Sequence, residues 1–324
     1  MNKKVKPNLL ILNLSEYDQE QINLLKKYVN IFNIENANKK SLDKLIKKLI
    51  KKKILIDYFI SNFGVKLDNQ LIDSLSNLKL VLTPTTGTNH IDVDHLKRKK
   101  IKFFSLFKNN EIKKITSTAE HTWALILSIS RNLTKYNNDV LNKGEWNRKK
   151  YLNFQLNKKT LGIVGYGRLG KMVNKYAKAF SMKTLIYDKK KIKNKSSLKK
   201  IFSNSDIITI HLELNPKTRF IINKKIINYT NKKSIIINTS RGEIIDENFL
   251  FDKLKKNKIN YFGTDVLIDD HNWNKKVPVK KKKQINKIKN KIIITPHVGG
   301  NTVEANKITR KIIFNQLFKV LKKA

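Results

Sequence analysis

From Leu9 onward, short apolar runs alternate with longer segments whose apolar positions recur every three or four residues. Runs of that kind, separated by helical periodicity, specify parallel strands, because helices cover both faces of a parallel sheet and its strands lose the alternation of a half-exposed one. In the first third, Leu9–Leu14, Ile54–Ile60, Leu78–Thr83 and Ile101–Phe104 are predicted strands, with helices at Ser41–Lys52 and Leu67–Leu75. Ser117–Asn132 reads as a long helix, opened by a capping box of Ser117 and Glu120 and marking a domain boundary. From Thr160 the pattern restarts with six strand candidates, Leu161–Val164, Thr184–Tyr187, Ile207–Ile210, Ser234–Ile237, Tyr261–Asp265 and Ile292–Ile294. A last helix after Thr302, running toward Leu321, is long enough to return to the first unit. The expected class is α/β, with two doubly wound parallel sheets and a first domain discontinuous in sequence. The stretch Asn274–Asn290, rich in lysine and poor in apolar residues, is expected to be a mobile loop.

Composition narrows the chemistry. A chain of 324 residues is too long for one ordinary core and suits two. The apolar start Leu9–Leu12 is cut short by Asn13, Ser15, Glu16 and Asp18, so neither a signal peptide nor a membrane span is expected. The absence of cysteine excludes disulfides, thiolate metal sites and a cysteine nucleophile, and suits a reducing cytoplasm. No metal site is expected. The net charge of +44 invites a nucleic-acid reading, but lysines occur throughout, as in Lys39-Lys40, Lys51–Lys53 and Lys280–Lys283, mixed with Asn and Ile. A dispersed bias belongs to solvated faces, and no specific nucleic-acid partner is expected.

The most specific local signal is Gly165-Tyr166-Gly167-Arg168-Leu169-Gly170, set between a predicted strand and a predicted helix. In this G-x-G-x-x-G setting the first glycine makes the turn, the second admits a pyrophosphate to the backbone, and the third lets the helix pack on its strand. The next strand ends at Asp188, whose carboxylate suits the ribose hydroxyls of NAD; the following Lys189–Lys191 would soften a preference against NADP. Three more strand ends carry polar groups toward the crevice where such sheets bind ligands: Asn238–Gly242, Gly263–Asp270 and Thr295–Gly300. Removing a hydroxyl proton during hydride transfer needs a base that titrates near neutrality, which points to His297. Arg241 offers a planar fork for a substrate carboxylate and polarises the reacting oxygen. His211 reads equally well as a structural histidine or a cofactor contact. His90, His95, His121 and His271 read as surface or structural residues, and Trp123 and Trp146 as packing residues.

With these segments in order, and with Gly87–Asp92, Ser117–His121, Gly144–Trp146, His211 before Pro216–Arg219, and Asp246-Glu247, the chain resembles the D-isomer-specific 2-hydroxyacid dehydrogenases, the family of phosphoglycerate, glycerate and D-lactate dehydrogenases. The resemblance implies two Rossmann-like domains: a flavodoxin-like substrate domain at 1–117 plus 300–324, and an NAD-binding domain at 118–299. It implies an NAD-dependent oxidoreductase acting at C2 of a small D-2-hydroxy or 2-keto acid, such as 3-phosphoglycerate or glycerate/hydroxypyruvate. Arg241 becomes the catalytic arginine, His297 the acid/base, Asp270 its carboxylate partner, and Asp265 the residue that bonds the nicotinamide carboxamide. Thr239, His211 and Gly299 join the cofactor contacts, and Asn62, Phe63 and Gly64, after Ser61, form a backbone loop for the substrate carboxylate. A homodimer built partly on Ser117–Asn132 is also implied. In one respect the chain departs from the pattern: Asp270-His271 stands where the family usually has Glu-Pro. The shorter acid must approach the imidazole more closely or reach it through water, and the lysine-rich insert that follows could displace the strand end. An NAD-sensing binding protein on the same frame is the alternative reading.

Overall fold

In the computed structural model the described residues are 5–107, 109–189, 195–273 and 276–322. Lys190 and Lys191, expected to tune the cofactor preference, lie outside them, as do Asn274 and Lys275 of the insert. The chain divides into two compact units: Met1–Ile115 with His271–Lys276 and Val303–Ala324, and Thr116–Asp270 with Val277–Thr302. The divisions thus fall at 115/116 and 302/303 rather than at 117/118 and 299/300. A short excursion at His271–Lys276 also joins the first unit, where Asn89 Nδ2 lies 3.4 Å from His271 Nδ1.

The first unit runs β1 (Asn8–Leu12), α1 (Gln19–Lys26), β2 (Asn30–Ile34), α2 (Lys39–Lys51), β3 (Tyr58–Ile60), α3 (Asn69–Ser74), β4 (Leu80–Leu82), α4 (Val93–Arg98) and β5 (Lys102–Phe104). All strand pairs are parallel, in the order β2-β1-β3-β4-β5. That is the flavodoxin-like winding, in which the order reverses between the first and third strands. Successive side chains of β1 feed opposite cores. Leu10 and Leu12 pack with Leu42, Ile46 and Leu49 of α2, while Leu9 and Ile11 pack with Leu25 of α1. The sequence pattern did not reveal α1, β2 or α4. In Asn30–Ile34 two asparagines break the apolar run, and an edge strand tolerates them because only one side of its backbone must pair.

The second unit runs α5 (Ser117–Ser130), α6 (Leu133–Lys143), β6 (Thr160–Val164), α7 (Arg168–Ala179), β7 (Lys183–Tyr187), α8 (Leu198–Asn204), β8 (Ile207–Ile210), α9 (Lys224–Asn228), β9 (Ile235–Asn238), α10 (Glu247–Lys255), β10 (Tyr261–Thr264), α11 (Val279–Asn286) and β11 (Ile292–Ile294). Its six parallel strands are ordered β11-β10-β9-β8-β6-β7, so the order reverses between β6 and β8, where the glycine-rich turn begins. The final helix, α12 (Val303–Leu321), returns to the first unit, where Ile312, Ile313, Phe314 and Leu317 complete the core on the Leu9–Ile11 face.

Several expectations need correction. α5 begins with Thr116 at its cap and makes no side-chain capping bond; Ser117 is already helical, so the Ser117/Glu120 capping box does not form. Asn274–Asn290 is not a loop throughout, since Val279–Asn286 forms α11, which lysine favours intrinsically despite its self-repulsion. Trp123 packs between Tyr176 and Phe180 as expected, but Trp146 is 87% exposed and packs nothing in its own unit.

Candidate active site

Four loops leave the carboxyl ends of the second unit's strands. At the first, Gly165 follows β6 with φ +103°, and a Cβ there would lie 2.6 Å from the carbonyl carbon of His211. Gly170, in the first turn of α7, approaches the Gly165 carbonyl so closely that a Cβ would sit 2.0 Å from its oxygen. A Cβ on Gly167 would meet nothing within 4 Å, which leaves open space in front of the start of α7. Tyr166 donates its amide to Asp188 Oδ2 at 2.6 Å, tying the turn to the end of β7, and its hydroxyl accepts from Asn174 Nδ2 at 2.8 Å. Arg168 opens α7, and Leu169 packs against the core beneath it.

These residues fit a dinucleotide. The turn and the helix start have amides of the kind that take a pyrophosphate, and Asp188 carries a carboxylate of the kind that accepts from ribose hydroxyls. A second observation agrees: both ring nitrogens of His211 are buried without a hydrogen-bond partner among the described residues. Burial pulls its pKa down from 6.5 to about 4, so the ring is neutral and able to take a ligand's donor or offer its own.

Three neighbouring strands, β9, β10 and β11, supply the other loops. After β9, Asn238 Oδ1 accepts the Ser240 amide at 3.0 Å and its Nδ2 donates to the Arg241 carbonyl at 2.9 Å, so one side chain fixes the turn that presents Arg241. Thr239 Oγ1 lies 2.7 Å from Thr122 Oγ1. Arg241 Nη1 donates to the Ser240 carbonyl at 2.6 Å. Burial draws its pKa below the ordinary value, opposed by the charges of Asp270, Glu243, Asp265 and Glu213. Gly242 admits the Leu267–Ile268 backbone, since a Cβ there would lie 2.1 Å from the Leu267 carbonyl carbon.

After β11, His297 has φ +57°, in the left-handed region that costs a non-glycine residue about 1–3 kcal/mol. The strain is held by Asp265. Its carbonyl accepts the His297 amide at 2.9 Å, Oδ1 accepts the Val298 amide at 2.9 Å and the Thr295 hydroxyl at 2.6 Å, and Oδ2 accepts the Gly299 amide at 2.7 Å. His121 adds a contact at 3.5 Å to Oδ1 and 2.8 Å to the Thr295 hydroxyl. Burial pushes the Asp265 pKa up, but the bonds from His121, Thr295, Gly299 and Val298 together outweigh it, and the carboxyl stays below its usual range.

Asp270 Oδ2 lies 2.9 Å from His297 Nδ1, a direct bond that needs no water. The shorter acid reaches because its backbone is turned inward. Asp269 has φ +61°, and Asp270 begins a 3-10 turn in which its Oδ2 also accepts the Leu267 amide at 3.3 Å. Arg241 and His297 therefore share Asp270, one through its charge and the other through a hydrogen bond. His121 was read as a surface or structural residue and proves to be part of this support, as do Glu243 and Glu247, which sit in a run of buried Ile244, Ile245 and Leu250.

In the first unit, Asn62, Phe63 and Gly64 follow β3, one of the two strands at its own switch point. The Gly64 amide points to Asn62 Oδ1 at 3.4 Å, and the Phe63 ring meets His90 edge-on with centroids 5.4 Å apart.

A model of the D-isomer specific 2-hydroxyacid dehydrogenase NAD-binding domain matches residues 123–299. D-3-phosphoglycerate dehydrogenase of Methanocaldococcus jannaschii is 33% identical over 275 residues, 82% of this chain and 50% of that protein. With the Bacillus subtilis enzyme of the same name at 46%, the chain spans about half the length of these relatives. Hydroxypyruvate reductase of Thermotoga maritima is 30% identical over 271 residues, 82% of this chain and 85% of that protein. D-lactate dehydrogenase from Aquifex aeolicus, complexed with NAD and lactic acid, superposes with a TM-score of 0.82 at 25% identity, covering 98% of this chain and 96% of its own. With a glycine turn shaped for a dinucleotide and an Arg–Asp–His group on adjoining strand ends, this chain belongs to the D-isomer specific 2-hydroxyacid dehydrogenase family.

Proposed function

We propose that the chain transfers a hydride between NAD and C2 of a small D-2-hydroxy or 2-keto acid. The observation that carries the reading is the 2.9 Å bond between His297 Nδ1 and Asp270 Oδ2, beside a half-buried arginine that senses the same carboxylate. When bound, the nicotinamide supplies the hydride acceptor in oxidation and the donor in reduction. His297 takes the hydroxyl proton at Nε2 in oxidation and returns it in reduction, while Asp270 orients the ring and favours the imidazolium. Arg241 pairs with the substrate carboxylate and draws electron density from the C2 oxygen, at a position where burial strengthens its field. Asp265, assigned to the nicotinamide carboxamide, doubles as the clamp of the His297 loop. Gly165–Gly170, Asp188, His211, Thr239 and Gly299 make up the rest of the cofactor site.

A protein that only senses NAD needs no such proton-transfer pair. The substrate belongs with the glycerate/hydroxypyruvate, phosphoglycerate, glyoxylate and lactate types acted on by the relatives' enzymes, and the working compartment is the cytoplasm. A homodimer is supported by the exposed apolar side chains after α5: Leu133, Leu141, Trp146 and Leu152 are 53%, 74%, 87% and 89% exposed. The deciding experiment screens NADH oxidation with these keto acids in the wild type, Arg241→Ala and His297→Ala. Both variants should lose turnover, by about a thousandfold or more, while still binding NAD. Wild-type rates in either variant overturn the assignment.

A further inference from the structure

The segment that presents Asp270 is held from behind by two buried glutamates. Glu247, the first residue of α10, is 1% exposed, and its Oε2 accepts the Ile268 amide at 2.9 Å. Glu243, 4% exposed, accepts the Asp269 amide at 3.2 Å through Oε1. With Asp270 itself taking the Leu267 amide, three successive backbone donors end on carboxylates. A buried anion persists only with a compensating charge. Glu243 lies in the field of Arg241. Glu247 finds its partner in the lysine-rich insert, where Lys281 of α11 donates to Glu247 Oε1.

Lys281 differs from its neighbours. Its side chain is 16% exposed, whereas Lys280, Lys282 and Lys283 are exposed, and its ammonium lies 5.5 Å from the centroid of the Phe251 ring. Among its described residues, the insert that threatened the site's geometry thus turns one lysine inward. Burial raises the Glu247 pKa and the Lys281 charge opposes that rise. Without the lysine, the Glu247 carboxylate would lose the charge and the hydrogen bond that offset its burial, and its hold on the Ile268 amide would weaken. The left-handed turn at Asp269 could then relax, and Asp270 would move off the imidazole.

We infer that Lys281 is a positioning residue: through the Glu247 carboxylate it fixes the 267–269 backbone and so holds Asp270 against His297. The inference rests on the hydride-transfer reading for its catalytic consequence, but its structural half can be read without turnover. The charges around His297 are Asp270 on the 3-10 turn, Asp265 at the end of β10 with His121 of α5 against it, and Arg241 after β9. None of them is altered by replacing Lys281.

The test uses the full chain with Lys281→Met, Lys281→Arg and Lys282→Met. Two quantities are measured: the His297 ring nitrogen shifts by NMR, which report its Nδ1 bond to Asp270, and steady-state kinetics with NADH and a keto acid. Lys281→Met should lower kcat about tenfold, leave the cofactor KM within about twofold, and displace the His297 Nδ1 resonance. Lys281→Arg should restore most of both changes, and Lys282→Met should match the wild type. In a Glu247→Gln background, where no buried anion needs neutralising, Lys281→Met should change neither; this pair also serves if the single variant does not fold. An unchanged His297 Nδ1 resonance in folded Lys281→Met, or the same loss in the Glu247→Gln background, overturns the inference. If the wild type reduces no 2-keto acid, the functional reading fails, and the His297 resonance still decides the role of Lys281.

Discussion

The two ends of the second unit's sheet solve different problems with different materials. The cofactor end, after β6, is made mainly by omission: Gly165 and Gly170 lack side chains where backbone must touch backbone, His211 is kept neutral, and the bond from the Tyr166 amide to Asp188 ties the turn. The end that presents Arg241 and His297, after β9, β10 and β11, is made by addition, with Asp265, Asp270, Glu243 and Glu247 each receiving backbone amides. Shape suffices where a ligand brings its own charge. Where Arg241 and His297 are presented, the loops are fixed by charge, and that charge is itself balanced.

Substitutions that strike one end and spare the other separate the two. Asp270→Asn keeps the volume but loses the charge that favours the imidazolium, so kcat should fall about a thousandfold while NAD binding, measured by fluorescence titration, stays within about twofold. Equal loss of binding would mean that the two ends are not independent.

The next largest effect lies at the other end and concerns pH. His211 is held neutral in the folded chain to about pH 4, whereas in the unfolded chain it takes a proton near 6.5. Between those values the unfolded state binds more protons, so the stability this group contributes is complete above 6.5 and is lost as pH falls toward 4. The difference is worth about 3 kcal/mol. Melting temperatures of the cofactor-free protein should fall over that window, and the fall should shrink in His211→Gln.

Gly165→Ala makes the smallest of the three changes. Its Cβ would press on the His211 backbone at a positive φ, and NAD affinity should drop about thirtyfold while the His297 ring nitrogen resonances stay in place. A displaced His297 resonance would blur the distinction between the ends.

The difference between the two ends also explains what could be read without coordinates. The cofactor end is local: Gly165 to Gly170 and Asp188 lie within one strand-helix-strand unit, and their spacing states the geometry. The strand ends carrying Arg241, Asp265 and His297 were visible because each follows an apolar run. The support around them was not. His121 reaches Thr295 across 174 residues, and Lys281 reaches Glu247 across 34, distances over which periodicity is silent. α11 was misread because repulsion among lysines was weighed above their helix propensity. Trp146 was taken for a packing residue because bulk alone does not say what, if anything, covers a side chain.

The returning helix α12 sets an order of events during synthesis. The second unit is complete once Thr302 has been made, whereas the first waits for Phe314 and Leu317 to reach the core on the Leu9–Ile11 face. Its strands β1 to β5 are made before the second unit and are sealed after it. During that interval the surface α12 will cover is open to chaperones and to mispairing, and a stop codon before residue 312 would leave a finished nucleotide unit attached to an unfinished one.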